Sequence, residues 1–206
     1  MRSTLLLLAA ALCPLLGLAQ APLTATSYEL ADGTKGKGEL TYEVGYRSKL
    51  TVKGDDDSKK STKGHSIDPA QVRSFDVGPD HYVRLSSMKL DSGMPMTMSM
   101  TKKDDFAKVV TPGKLELLEY TVVYGTSTRS STSASGRDFQ SNSMQVYLLR
   151  RAGEDNAVMI PTYGKKYRQM MLPYFADRPD LLPRITATPP MEAELRSILL
   201  AYNTPK

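Results

Sequence analysis

Two histidines, one cysteine and no tryptophan are spread over 206 residues. The cysteine, Cys13, sits in an apolar stretch near the start, so from residue 20 onward disulfides, thiolate metal sites and cysteine nucleophiles are excluded. Lipid modification of Cys13 needs a small residue before it, and Leu12 stands there while Pro14 to Leu18 continue the apolar run. His65 falls in a polar segment and His81 at the start of an expected strand. Neither belongs to a motif: Gly-x-Ser-x-Gly, His-Glu-x-x-His, Gly-x-x-x-x-Gly-Lys-Ser/Thr and Gly-x-Gly-x-x-Gly are all missing. Both histidines therefore read as surface residues, and no catalytic residue, metal ligand or cofactor is assigned. Without tryptophan there is no indole platform for a sugar ring, although eleven tyrosines can partly take that role.

The chain does have a short basic start, Met1 to Thr4 with Arg2, followed by an apolar run from Leu5 to Leu18 that ends in small residues. This is the layout of a secretory signal peptide, and at about 14 residues the run is short of the roughly 20 needed to span a bilayer. Cleavage after Ala19 puts Gly17 and Ala19 at the small-residue positions and starts the mature chain at Gln20. The expectation is a signal peptide over 1–19, a β-rich domain over 20–160 and C-terminal helices over 161–206, with no transmembrane segment after the signal. The 27 basic residues include Arg2; losing it leaves a modest positive excess over 22 acidic ones, interspersed along the chain. No stretch forms a nucleic-acid arm, and export makes nucleic acid an unsuitable partner.

Strand patterns dominate the first two thirds. "SYELADGTKGKGELTYEV" reads as a short strand, an Asp32-Gly33 turn and a strand through Leu40, Tyr42 and Val44, forming a hairpin that "KLTV" extends. "DDDSKKSTKGHS" is a solvated loop, since Asp55 to Asp57 lack the alternating spacing of a calcium loop. Asp68 caps a single turn opened by Pro69, before a strand around Phe75. Two strands, "HYVRLSSMKL" and "MPMTMSMTK", meet at Asp91-Ser92-Gly93. A short helix is expected from Asp104 and Asp105, then a Pro112-Gly113 turn and a strong strand, "LELLEYTVVYG". A flexible Ser/Thr loop over 126–136 precedes "MQVYLLRR", a strand that pairs back.

The last third switches to helical spacing. Tyr167, Met170, Met171, Tyr174 and Phe175 share one face, interrupted by Pro173; Met191, Leu195, Ile198, Leu199 and Tyr202 form a second stripe. Asp177 and Asp180 read as helix caps. The fold class is α+β: a mostly antiparallel sheet followed by a helical segment packed on it.

Met94, Met96, Met98 and Met100 recur at every second position, so in a strand they share one face. Thioethers suit Cu(I), but methionine also fills cores, and no histidine stands among these four. Packing or a greasy interface is the expectation, with Cu(I) binding the alternative. A carboxylate pair among Asp104, Asp105, Asp177 and Asp180 would be the basis of an unrecognised hydrolase, though capping and dipole roles account for all four.

The segments "DGTKGKGEL", "DPAQVRSF", "DFAKVVTPGKLELLEY", "VYLLRR" and "YFADRPDLLPRI" with "LLAYN" resemble a loosely defined group of small secreted Bacteroidota proteins of unknown function. The resemblance covers most of the chain after the signal and implies export and a β-rich domain with terminal helices. It carries no catalytic residues, and the methionine run and the Ser/Thr loop depart from it. The functional expectation is an exported, non-enzymatic module, secreted or periplasmic, that binds an envelope protein or surface.

Overall fold

Apolar alternation builds strands along most of the chain. The computed structural model describes residues 21–25, 27–45, 48–54, 64–91, 99–128, 138–162, 164–186 and 191–205. A small antiparallel sheet has the order β1 (Leu23–Ala25), β3 (Glu39–Glu43), β4 (Lys49–Lys53), β5 (His65–Ile67). The large sheet runs β11 (Asn156–Met159), β10 (Asp138–Arg151), β9 (Leu115–Thr128), β8 (Met100–Thr111), β7 (Asp80–Leu90), β6 (Val72–Val77), β2 (Ser27–Leu30). In addition β11 pairs in parallel with β7 through Asn156↔Ser87, Ala157↔Met88 and Val158↔Lys89, so β7 to β11 close into a barrel. Its interior holds side chains from all five strands, among them Leu85, Met88, Ala107, Leu118, Leu148, Ala157 and Met159.

The β9–β10 register states the barrel's internal order. Inward-facing pairs run from Glu116/Arg150 through Leu118/Leu148 and Tyr120/Val146 to Met144/Val122 and Asn142/Tyr124. One end is thus closed by a nearly buried ion pair, Arg150 Nε to Glu116 Oε2 at 2.6 Å, and the middle is apolar. The odd-numbered neighbours Leu115, Leu117 and Leu149 point outward, under the helices. Both faces of β9 are therefore buried, which explains a strand as continuously apolar as "LELLEYTVV".

The helical segment comprises α1 (Gly164–Met171), a 3-10 turn at Leu172–Phe175, a second at Pro179–Leu181, α2 (Leu182–Thr186) and α3 (Glu192–Asn203). Pro173 ends α1 as expected, because it lacks the N–H an α-helix needs. Leu195, Ile198, Leu199 and Tyr202 lie buried on the barrel wall. Each leucine or isoleucine so covered contributes about 1.5–3 kcal/mol. Met191 departs from the expected stripe: it precedes the first turn of α3 and is 85 % exposed. The end of α3 is fixed by polar contacts. Asn203 accepts from Leu115 N–H through Oδ1 at 3.0 Å and donates to the carbonyls of Leu115 and Pro112 at 2.9 and 3.2 Å. Gly113 makes room for it, since a Cβ there would lie 2.2 Å from the Asn203 amide.

The fold is α+β, antiparallel apart from β11–β7, with the helices packed on the sheet. Three local expectations change. The Asp32-Gly33 turn forms, with Asp32 accepting from Thr34 N–H, but it folds the chain back onto β2 rather than making a hairpin with β3. There Gly36 lies so close to the Tyr28 ring that a Cβ would sit 1.8 Å from it, and β3 departs to the other sheet. Asp104 and Asp105 lie inside β8 rather than at a helix start, because Asp105 is drawn into long-range bonds described below. Residues 126–128 belong to β9, so the expected Ser/Thr loop loses its beginning; 129–137 fall outside the described residues. No helix among the described residues is long and apolar enough to cross a membrane.

Tyr167 is buried in the helical layer, and its hydroxyl finds no hydrogen-bond partner among the described residues. Burial, assisted by the charge of Glu194, pushes its pKa well above the ordinary tyrosine range. A buried unpaired hydroxyl costs about 1–3 kcal/mol. Tyr167→Phe is therefore expected to leave stability unchanged or to raise it by about 1 kcal/mol in urea unfolding; a clear loss would show that the hydroxyl has a partner.

Candidate functional site

Asp105 is the most buried charged residue among the described residues, with no exposed surface. Its carboxyl group lies where β8 and β9 part: their pairing covers Lys108↔Glu119, Val109↔Leu118 and Thr111↔Leu117, with a shift between Val109 and Thr111. Into this opening the small sheet sends Tyr42 from β3 and Ser48 from the residue before β4. Oδ1 accepts from Tyr42 Oη at 2.6 Å and from its neighbour Phe106 N–H at 2.9 Å. Oδ2 accepts from Ser48 Oγ and from Tyr120 Oη, both at 2.8 Å. Lys102 adds an ion pair at 3.5 Å and donates to Gly45 carbonyl at 3.4 Å. One carboxyl group thus joins both sheets and the barrel interior.

The backbone bends to allow this. Asp104 has φ 47, the one non-glycine residue in the left-handed region among the described residues, and Arg84 Nη1 holds its carboxylate at 3.0 Å. Such a conformation costs of order 1–3 kcal/mol, which surrounding contacts must offset. Burial and the adjacent Asp105 charge push the Tyr42 and Tyr120 phenols far above their ordinary value, so both stay protonated donors.

Tyr42 and Phe106 also form part of a cleft between the sheets, about 50 Å³ in volume. Its other walls are Leu23 and Val44 from the small sheet and Tyr82, Lys108, Glu119, Thr121 and Gln145 from the barrel's outer face. Lys108 Nζ lies 3.3 Å from Glu119 and 3.9 Å from Asp80. Gln145 Nε2 donates to Glu119 at 3.4 Å. Further along the same wall, Tyr147 donates to Glu192 at the start of α3 at 2.5 Å; burial and that bond push the Tyr147 pKa up to about 12.

A third feature is the open end of the barrel. Met144, directly opposite Val122, and Tyr124, the next inward-facing residue along β9, are each 42 % exposed, while Met100, opposite Leu90, is 39 % exposed. The inner, apolar face of the barrel thus emerges into solvent at the end where β7 finishes and β8 begins.

Of the residues weighed from sequence, Met100 stands at this end, whereas Met94, Met96 and Met98 lie outside the described residues, as do Cys13 and Asp55 to Asp57. His65 is the exposed first residue of β5 rather than part of a loop, and His81, near the start of β7, bonds Asp76 through Nδ1 at 2.6 Å. Asp177 and Asp180 are not caps. Asp177 accepts from Tyr202 Oη at 3.0 Å, and Asp180 receives the guanidinium of Arg178, whose Nη1 donates to the Tyr202 carbonyl at 2.9 Å. These contacts lock the end of α3; the N-cap position of the Pro179–Leu181 turn is held by Arg178, with Asp180 inside its first turn. No three or more His, Cys, Asp or Glu side chains gather for a metal among the described residues. Sequence reasoning missed the grouping of Tyr42, Ser48, Asp105 and Tyr120, whose members lie up to 78 positions apart.

Comparisons with protein-family models, with curated proteins and with solved structures return no match. The class defined by the fold is a small α+β protein: a barrel antiparallel except at its parallel β7–β11 closure, a second sheet docked where β8 and β9 part, and a helical layer.

Removal of one partner from a buried ion-paired group costs about 3–5 kcal/mol, and removal of one hydrogen-bond donor about 1–3. Asp105→Ala is expected to destabilise by the larger amount, and Tyr42→Phe and Tyr120→Phe each by the smaller. Denaturant unfolding of the two tyrosine variants and their double variant should give non-additive losses, because both phenols serve one carboxyl group.

Proposed function

We propose that this chain is an exported, non-enzymatic binding module that meets an envelope partner at the open end of its barrel. The observation that carries the reading is the exposure of Met100, Tyr124 and Met144 on the face that is apolar core elsewhere in the barrel. Water-facing aromatic and methionine side chains grouped at one end are a poor way to finish a barrel and a good way to begin an interface. Tyr and Met are enriched at the centre of protein interfaces, and methionine adapts its shape to a partner. The exported location rests on the basic start, the Leu5 to Leu18 run and the small residues Gly17 and Ala19, and it is consistent with the likeness to small secreted Bacteroidota proteins.

Two measurements address the two parts. N-terminal sequencing of protein recovered from outside the cytoplasm is expected to read Gln20 first; an intact Met1 in that fraction would remove the signal-peptide reading. For the binding surface, the expressed protein and its Met100→Ser, Tyr124→Ser, Met144→Ser triple variant are compared by cross-linking in the envelope fraction. The wild type is expected to give a discrete adduct that the variant loses while its unfolding midpoint is kept. Identical adducts from both would place the contact elsewhere.

A further inference from the structure

We propose that the cleft between the two sheets is a binding site for a neutral saccharide, taking one edge of a sugar ring. It is separate from the barrel's open end and does not depend on the docking proposed there.

The charges in the cleft are already matched. Lys108 and Glu119 are register partners on β8 and β9 with side chains 3.3 Å apart, and Gln145 from β10 reaches the same Glu119 at 3.4 Å. A ligand with net charge has to compete with that pair. A neutral polyol need not: its hydroxyl groups both donate and accept, and Lys108, Glu119 and Gln145 offer ammonium donors, carboxylate acceptors and an amide that does both, side by side on three strands. Thr121, cross-strand from Gln145, adds a hydroxyl and a methyl.

The opposite requirement of a sugar, a surface for its C–H face, falls to Tyr82, the partly exposed ring of the cleft, flanked by Leu23 and Val44; Tyr42 and Phe106, buried in the core, form the floor beneath. All three rings are held in place from behind: Tyr82 stacks on Phe75 with centroids 5.0 Å apart and planes 8° from parallel, and Tyr42 meets Phe106 edge-on at 5.5 Å. Tyr42 is fixed again by its bond to Asp105. Rigid aromatic walls lose little entropy on binding. Size then limits the mode. A cleft of about 50 Å³ is far below the roughly 300 Å³ at which whole small-molecule sites begin. It accepts a ring edge with its hydroxyls, leaving the rest of the sugar in water, so the affinity belongs to the millimolar range.

The test is a titration of the protein in 1H–15N spectra with glucose, galactose and N-acetylglucosamine, with glucuronate as the charged counterpart. At least one neutral sugar is expected to move the Gln145 side-chain amide and the backbone amides of 119–121 saturably, with Kd about 1–10 mM. Gln145→Leu is expected to weaken binding about tenfold, the loss of about one polar contact, and Thr121→Phe, which fills the cleft, to abolish it. Gln145 is exposed and Thr121 partly so, which keeps both variants folded, and the wild-type titration decides by itself if either is not. Absence of a saturable shift with every neutral sugar, shifts that persist in both variants, or tighter binding of glucuronate would each overturn the proposal.

Discussion

A single carboxyl group, that of Asp105, fixes how the small sheet sits on the barrel, within an apolar contact that Tyr42, Leu50 and Val52 make with Val72, Phe75 and Phe106. It accepts from Tyr42 and Ser48 of the small sheet, from Tyr120 of the barrel interior and from its own strand. A buried carboxyl group is expensive unless it is hydrogen-bonded on all sides, so this one is useful only in the complete arrangement. Any slip of the small sheet along the barrel strands Asp105 in an apolar setting with unmet bonds. The interaction therefore adds specificity of docking more than net stability. The aromatic cluster of Tyr42, Phe75, Tyr82 and Phe106 adds the apolar area that a polar knot lacks.

The barrel is graded along its axis. Glu116 and Arg150 finish one end with charges that satisfy each other, whereas the other end finishes with the exposed side chains of Tyr124 and Met144. Of the helices, α3 lies along the wall beside Leu115 and Leu117, where Asn203 secures it, and α1 reaches Asp91, just past the end of β7, through Lys166 at 3.4 Å. The same wall carries the ion-paired row from Asp80 to Glu119 that borders the inter-sheet cleft. Closed core, polar seam and apolar end are thus assigned to different parts of one sheet by the alternation of its side chains.

What could be read from the sequence was what depends on near neighbours. Asp68 and Pro69 announce their turn because the cap bond spans two residues, Asp68 Oδ1 to Ala70 N–H. Pro173 ends α1 for a local reason too, and the stripe Leu195, Ile198, Leu199, Tyr202 is set by helical geometry. The misreadings share a different cause. Asp104-Asp105 looks like a helix start in isolation, and becomes a strand because Asp105 is bonded to a tyrosine 63 positions earlier. The β2 segment and β3 look like a hairpin, yet each has its pairing partners in another sheet. At four residues, between Glu154-Asp155 and Ile160-Pro161, β11 carries too little pattern to be noticed, although it closes the barrel. The candidate cleft was illegible for the same reason: its walls come from both sheets, and no local spacing links Tyr42 with Gln145.

Closure by β11 also dictates the order of assembly. Ser86 takes its backbone partner from Asp155, 69 positions further on, and β11 must arrive between β7 and β10 before either strand has both its neighbours at that level. A growing chain that has delivered only β7 to β10 is an open, curved sheet with a bare edge at β7 and an exposed apolar lining. Commitment to the native topology is consequently a late event with high contact order, and slow folding follows from that. The last strand to be made is thus the clasp of the barrel, and the wall it fastens has to wait for it.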